Sequence, residues 1–390
     1  MLRDDFPFFK SRSDLVYLDN AATTQKPRIV IDAVARFMTE QNSNTGRSLY
    51  PLASEAADAV NDVRLKTADF INAYVNEIIF TKGSTEALNM VSSSICRRNR
   101  KGNIVITELE HSSNYAPWLD CCRKTGIEFR VAKVEGDGSL KTETVKSMID
   151  SSTLAVAISG MSNVNGFMPD IQTICRYAKE HGALTVVDAA QLAVHHKIDV
   201  EAIGCDYLCL SGHKLYGPQG TGVLYARKES QNQLMPLALG GGAVEPDYRA
   251  KKGIEGYEAG SQNVAGLVGI GKAIDYLKQH EDEIKMLEDE LSDYLFASLK
   301  KLDYIRVINR KASPIVSFSF DGLGFYDVGT MLARSGICIR TGSCCAYNLM
   351  RTLKLEGVCR VSVSFCNTKD EIDLLVRNLD WIHMRYGGRG

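Results

Sequence analysis

Seven short apolar runs, at residues 77–81, 103–107, 128–134, 154–159, 184–188, 207–210 and 223–226, alternate with helical stretches through the first two-thirds of the 390-residue chain. Most are bounded by Gly, Ser or Asn, and most are apolar throughout rather than at every second position. A strand apolar on both sides must be covered on both sides, as in a largely parallel sheet sandwiched between helices. The pattern therefore predicts an α/β fold whose large domain holds a mostly parallel seven-stranded sheet. Ligands of such sheets bind beyond the carboxyl ends of the strands, so the polar residues that follow each run are the functional candidates.

The last third of the sequence changes character. From 272 to 301 the spacing predicts one long amphipathic helix, with Ile284, Leu287, Leu291 and Leu295 at helical intervals among acids and lysines. It leads into a smaller α+β domain, where 315–320 and 361–365 alternate apolar and polar as half-covered strands do. The expected division is 17–270 for the large domain, and 1–16 together with 271–390 for the small one. The tail 387–390, glycine-rich, is expected to fray.

Composition narrows the function. Lys and Arg total 46 against 47 Asp and Glu, a balance that favours neither nucleic acid nor a membrane surface. No stretch reaches the roughly 18 apolar residues of a membrane span. The start, Met1-Leu2-Arg3-Asp4-Asp5-Phe6-Pro7, lacks the apolar run of a signal peptide, so a cytoplasmic location is expected. The 11 cysteines have no zinc-site spacing and read as reduced thiols; no metal is expected. Two adjacent pairs stand out, Cys121-Cys122 and Cys344-Cys345.

The chemistry concentrates after the runs. Lys214 lies in Ser211-Gly212-His213-Lys214-Leu215-Tyr216-Gly217-Pro218, and Asp188 ends the run Val186-Val187-Asp188. A lysine on a small-residue loop, with a carboxylate from an earlier strand end, is the equipment for pyridoxal phosphate. The lysine supplies a Schiff base, and the aspartate holds a proton on the pyridine nitrogen. Either residue alone reads as a turn lysine or a helix cap; together they do not. Thr81-Lys82-Gly83-Ser84-Thr85-Glu86 follows a strand and opens a helix, a setting that favours phosphate, although a plain capping box fits the same residues. His111, in Glu110-His111-Ser112-Ser113-Asn114, could stack on a flat ring or be an ordinary satisfied polar residue. In Arg340-Thr341-Gly342-Ser343-Cys344-Cys345-Ala346 a loop cysteine near a cation is either a thiolate nucleophile or an inert buried thiol. Arg360 is a charge inside a strand pattern, and a substrate carboxylate is a fitting partner for it.

The runs Tyr17-Leu18-Asp19-Asn20-Ala21-Ala22-Thr23-Thr24-Gln25-Lys26-Pro27, Ser211-Gly212-His213-Lys214-Leu215-Tyr216 and Arg340 to Ala346 resemble those of the cysteine desulfurase and selenocysteine lyase group. This is the SUF-type branch of the class V aminotransferase family, which has the fold-type I PLP architecture. The resemblance covers nearly the whole chain. It implies that Lys214 carries the cofactor, Asp188 pairs with its ring nitrogen, Gln191 contacts the ring hydroxyl and His111 stacks on the ring. Ser84, Thr85, Ser211 and His213 would hold the phosphate, with Ser261 reaching the phosphate of a neighbouring subunit, so a homodimer is implied. Asn163 and Arg360 would bind the substrate carboxylate, with Arg340 nearby. Cys345 would be the nucleophile that takes sulfur from L-cysteine as a persulfide, leaving L-alanine, for delivery to a sulfur-acceptor protein and, in such families, to iron–sulfur cluster assembly.

The sequence also departs from that pattern. Cys344 stands where the family usually has a histidine, Ser112 replaces a second histidine after His111, and Ala346-Tyr347-Asn348-Leu349-Met350 lacks the usual proline. Segment 44–48 keeps Arg47 without the histidines often found around it. Other PLP chemistry on the same scaffold (selenocysteine or C–S lyase, epimerase, transaminase) and a non-catalytic scaffold remain open alternatives at the level of sequence.

Overall fold

Each of the seven apolar runs is a strand of one sheet. The computed structural model describes residues 2–45, 49–98 and 101–387; Arg47 and residues 388–390 of the tail lie outside the described residues. A first short strand, β1 (Val16–Tyr17), precedes the sheet strands β2 (Ile78–Thr81), β3 (Asn103–Thr107), β4 (Glu128–Ala132), β5 (Thr153–Ser159), β6 (Leu184–Asp188), β7 (Tyr207–Ser211) and β8 (Gly222–Ala226). Their order is β2-β8-β7-β6-β5-β3-β4. The pairs β3–β4, β3–β5, β5–β6 and β6–β7 are parallel, whereas β7–β8 and β2–β8 are antiparallel. The expected α/β class with a mostly parallel seven-stranded sheet is thus the observed one.

The continuous apolar character follows from burial on both faces. Val105, Val156, Ile158, Val187, Leu208 and Leu210 point into one core. Their sequence neighbours Ile104, Ile106, Ala155, Ala157, Val186, Tyr207 and Cys209 point into a second core on the opposite face. Successive side chains alternate sides, so both sets must be apolar. The consequence for function is directional. Four parallel strands, β3, β5, β6 and β7, end at Thr107, Ser159, Asp188 and Ser211, and the chain that follows each one converges on a single rim.

The second sheet has order β12-β13-β10-β9, all antiparallel, built from β9 (Ile305–Val307), β10 (Ile315–Phe320), β12 (Arg340–Gly342) and β13 (Val358–Ser362). The remaining strand, β11 (Ile337–Cys338), pairs in parallel with β1, which ties the start of the chain to its last third. Residues of this sheet and the helix Lys369–Tyr386 form a third core around Phe318, Val361 and Leu375.

Two expectations are corrected. The stretch 272–301 is two helices, Val264–Gln279 and Glu281–Lys300, separated at His280. Glu281, Asp282 and Glu283 fill the first turn of the second helix, where the helix dipole favours acids. The strand expected at 361–365 runs from Val358 to Ser362, because its length is set by pairing with β10 and β12. Residue 270, the expected domain boundary, falls inside the helix Val264–Gln279, which packs on the helices Arg28–Arg36 and Pro51–Phe70. Among the described residues, no helix is long and apolar enough to cross a membrane.

Ile106, fully buried on β3, tests the two-faced sheet. Ile106→Ala should lower stability by about 2–5 kcal/mol in urea denaturation, the cost of a core cavity; a loss under about 0.5 kcal/mol would mean that this face is not packed.

Candidate active site

The rim of the large sheet and the cysteine loop of the small sheet enclose a cavity of about 270 Å³. Ser84, Thr85, His111, Asn163, Asp188, Gln191, Ser211, His213, Lys214, Arg340, Cys344, Cys345 and Arg360 all line it. Of the candidates read from the sequence, only Ser261 lies elsewhere, on an exposed segment.

Lys214 and Asp188 face the same space with unused atoms. Asp188 Oδ1 accepts the Ala190 N–H at 3.0 Å, and Oδ2 has no hydrogen-bond partner among the described residues. Burial pushes the Asp188 carboxyl upward, opposed by the Lys214 ammonium. Lys214 Nζ has no hydrogen bond or ion pair among the described residues. Burial lowers its amine to about 8, against the pull of Asp188. A substantial share of Lys214 is therefore neutral, and nucleophilic, in mildly alkaline solution.

The Lys214 loop is held from below by the segment after β1. Lys26 Nζ donates to the His213 carbonyl at 2.9 Å and to the Thr24 carbonyl at 2.5 Å. Thr24 Oγ1 accepts the Tyr216 N–H at 3.1 Å. Tyr216 is itself in the left-handed region at φ 59, so the loop needs these outside tethers. Burial brings the Lys26 amine down to about 7.

A hydroxyl cradle lies at the rim where β8 runs between β2 and β7. Ser84 N–H donates to Ser211 Oγ at 3.0 Å, the two hydroxyls are 2.8 Å apart, and Thr85 Oγ1 lies 2.8 Å from Ser113 Oγ. Gly83 is at φ 154, and a Cβ on Gly222 would come within 2.4 Å of its Cα. The two backbones can approach this closely only as glycines. The cradle thus sits at the first turn of the helix Ser84–Arg98, at the positive end of its dipole.

His111 caps the helix Ser112–Thr125, with its Nδ1 accepting the Ser113 N–H at 3.1 Å. Burial, then Lys214, Arg360 and Arg340, lowers it to about 4. It is neutral near pH 7, and since Nδ1 accepts, the proton sits on Nε2. His213 is likewise lowered to about 4 by burial and the adjacent lysines. Neither ring adds charge to the cavity.

Arg360 has a partner that sequence reasoning missed. Its NH2 donates to Asp19 Oδ1 at 2.8 Å and its NH1 to the Asn163 backbone carbonyl at 2.9 Å, while Nε is buried without a partner. Asn163 spends an amide hydrogen on the Cys344 carbonyl at 2.7 Å. Gln191 Nε2 donates to the Ala21 carbonyl at 2.8 Å, which leaves its oxygen for the cavity.

The cysteine loop is strained and clamped. Cys344 and Cys345 are both left-handed, at φ 50 and 57, which costs roughly 1–2 kcal/mol per residue. Besides the Asn163 bond, the Cys345 carbonyl accepts the Ser112 N–H at 2.7 Å and Ser112 Oγ at 2.8 Å. Ser112, which looked like a lost histidine, is a clamp. Cys344 is 5% exposed, and burial raises its thiol despite Arg360 and Arg340 nearby.

The chain matches the family model Aminotransferase class-V over residues 16–375. It is 37% identical over 400 aligned positions to a cysteine desulfurase of Pectobacterium carotovorum, covering 99% of this chain and 98% of the relative, and equally to one of Salmonella agona. Among solved structures it is similar to the cysteine desulfurase CsdA of Escherichia coli, with TM-score 0.91, 31% identity and 98% of each chain covered. It is also similar to a cysteine desulfurase of Thermococcus onnurineus, with TM-score 0.92, 30% identity and coverage of 99% and 98%.

The Asp19–Arg360 pair can be tested directly. Asp19→Ala should destabilise the fold by about 1.5–3 kcal/mol, as expected for a bond to a charged group, and by more than Asp19→Asn, which keeps an acceptor. Equal stabilities of wild type and Asp19→Ala in urea denaturation would show that the pair is not formed.

Proposed function

The chain belongs to the class V aminotransferase family, and on that premise we propose how its cavity works: it is a cysteine desulfurase, converting L-cysteine to L-alanine and releasing the sulfur to a thiol. The observation that carries this reading is one cavity that holds an unpaired lysine, a carboxylate with a free oxygen, a hydroxyl cradle and a half-buried cysteine. These residues fit pyridoxal phosphate. Lys214 Nζ would bind it covalently, Asp188 would face its ring nitrogen, Gln191 its ring hydroxyl and His111 its flat face. Ser84, Thr85, Ser211 and His213 would hold the phosphate, where hydroxyls meet the positive end of a helix dipole. Ser261, exposed and outside the cavity, would serve the phosphate of a second copy in a homodimer. Bound there, the cofactor supplies an electron sink for the bonds at the substrate α-carbon.

The chain's own residues then divide the work. Arg360, with its unpartnered Nε, and Arg340 at the mouth attract the substrate carboxylate, with Asn163 beside them. Lys214 Nζ moves the α-proton, a task suited to an amine lowered toward neutrality. Neutral His111 keeps its Nε2 proton directed at the cavity. Cys345 Sγ, as thiolate, attacks the substrate sulfur; the new S–S bond forms as the C–S bond breaks. The persulfide left on Cys345 passes to an acceptor thiol, on a carrier protein in the SUF-type reading, which rests on the runs 17–27 and 340–346. Iron–sulfur cluster assembly and a cytoplasmic location belong to that same reading. The large unit extends in this picture to His280, where the helices break.

Lys214→Ala should lose the borohydride-reducible cofactor link and all turnover. In the wild-type apoprotein, the rate of cofactor attachment should rise as pH passes through about 8, because the free base is the nucleophile. A link that survives in the mutant, or a rate that falls over this range, would place the attachment elsewhere.

The adjacent thiols separate the desulfurase from other reactions on this scaffold. Cys345→Ser should lose the persulfide seen by mass spectrometry along with alanine formation from L-cysteine. Cys344→Ser should keep most of both, since the buried Cys344 thiol is raised. The reverse result would exchange their roles, and two active mutants would point to lyase or transaminase chemistry.

A further inference from the structure

Arg64 and Glu258 lie 194 positions apart and meet in the interior, outside the cavity. The Arg64 guanidinium, on the helix Pro51–Phe70, donates NH1 to Glu258 Oε1 and NH2 to Oε2, both at 2.8 Å. NH1 also donates to the Ile78 carbonyl at 2.5 Å, and the guanidinium lies 4.4 Å over the Phe80 ring. Glu258 Oε1 accepts the Phe80 N–H at 2.7 Å, and Oε2 accepts the Gln262 side-chain amide. Both charged side chains are buried, and four donors use the full acceptor capacity of the carboxylate. A buried ion pair adds little net stability, but losing one partner is severe, so it locks one arrangement of the parts it joins.

The parts joined are that helix, β2 and the segment Glu258-Ala259-Gly260-Ser261-Gln262. The Glu258–Gln262 bond closes the segment into a loop. Gly260, left-handed at φ 89, ties it back through its N–H to the Gly241 carbonyl at 2.9 Å. Asn263 then caps the helix Val264–Gln279, with Oδ1 accepting the Gly266 N–H at 3.1 Å. Ser261 is the exception within this frame. It is exposed, and among the described residues its hydroxyl has no hydrogen-bond partner. A loop fixed on both sides of one free hydroxyl presents that hydroxyl outward.

We propose that Arg64, Glu258 and Gln262 are positioning residues, which hold the Ser261 hydroxyl where the cofactor phosphate of a second copy of this chain reaches it. The inference rests on the reading, given above, that Ser261 serves a neighbouring subunit. None of the three lines the cavity of its own chain, so a change in any of them is felt at a cavity through Ser261, and in the partner. The physical gain is pre-organisation. A slack loop would spend part of the phosphate bond on being ordered, whereas a loop already fixed does not.

The test titrates full-length apoprotein with pyridoxal phosphate and with pyridoxal, which lacks the phosphate, and reads both dissociation constants from the absorbance of the bound ligand. Gln262→Ala opens the loop but leaves the buried ion pair intact. It should weaken pyridoxal phosphate by about three- to ten-fold and leave pyridoxal unchanged. Ser261→Ala should show the same selective loss, as should Glu258→Gln, with its folding checked by circular dichroism. A hybrid dimer shows which chain is served. When one Lys214→Ala subunit is paired with one Gln262→Ala subunit through two affinity tags, only the second can attach the cofactor, and the first lends it an intact loop. Its affinity for pyridoxal phosphate should return to the wild-type value. Equal losses for both ligands in Gln262→Ala, or a hybrid as weak as the Gln262→Ala homodimer, would overturn the proposal. So would a selective loss in Ser261→Ala with none in Gln262→Ala, which spares the reading of Ser261. Wild-type affinities in Ser261→Ala would overturn both.

Discussion

One buried cation organises the junction of the two sheets. Arg360 sits on β13 of the small sheet, yet its guanidinium is held by Asp19, from the segment after β1, and by the backbone of Asn163, from the loop after β5 of the large sheet. Taking such a charge out of water is costly unless it is paired and hydrogen-bonded. The side chain can be buried only if three distant parts of the chain arrive together. Asn163 then extends the same junction to the Cys344 carbonyl, and Ser112 extends it to Cys345. The cysteine loop is thereby fixed relative to the rim that carries Lys214 and Asp188.

The charges around the cavity are arranged with restraint. Lys214, Arg340 and Arg360 line it against the carboxylate of Asp188, and Asp19 neutralises Arg360 from behind. His111 and His213 contribute donors without charge, because burial among these cations holds both rings far below their usual range. The cavity therefore offers positive potential toward anionic groups from the arginines, while its lysine remains available as a base. A fully charged cluster of the same residues would have bound anions more strongly and lost the nucleophile.

What could be read from the sequence was whatever depends on neighbours along the chain. The strands of the large sheet were legible because burial on both faces writes itself as an unbroken apolar run, as in Leu184–Asp188. Lys214 and Asp188 were legible because a charge directly after such a run has no core role. The break at His280 was obscured because apolar spacing continues through it, and only the three acids that follow mark the new start. Asp19 as the partner of Arg360 was illegible for a different reason: the two are 341 positions apart, and no local pattern encodes such a pairing. The same holds for Lys26 under His213 and for Ser112, whose replacement of a histidine looked like a loss until the loop it clamps was seen.

The clamp on the cysteine loop sets the traffic of the reaction. Cys344 and Cys345 are pinned by their carbonyls from the large-sheet side, in a backbone conformation with little room to relax. On the proposed function, a sulfur atom held by Cys345 would be parked at a fixed berth, not carried outward on a swinging arm. An acceptor would then have to bring its own thiol to that berth. In that proposal the reach would be built into the visiting protein, as a cysteine on a projecting loop or tail, and the shape of the cavity mouth, more than any motion of this chain, would decide which visitors can dock.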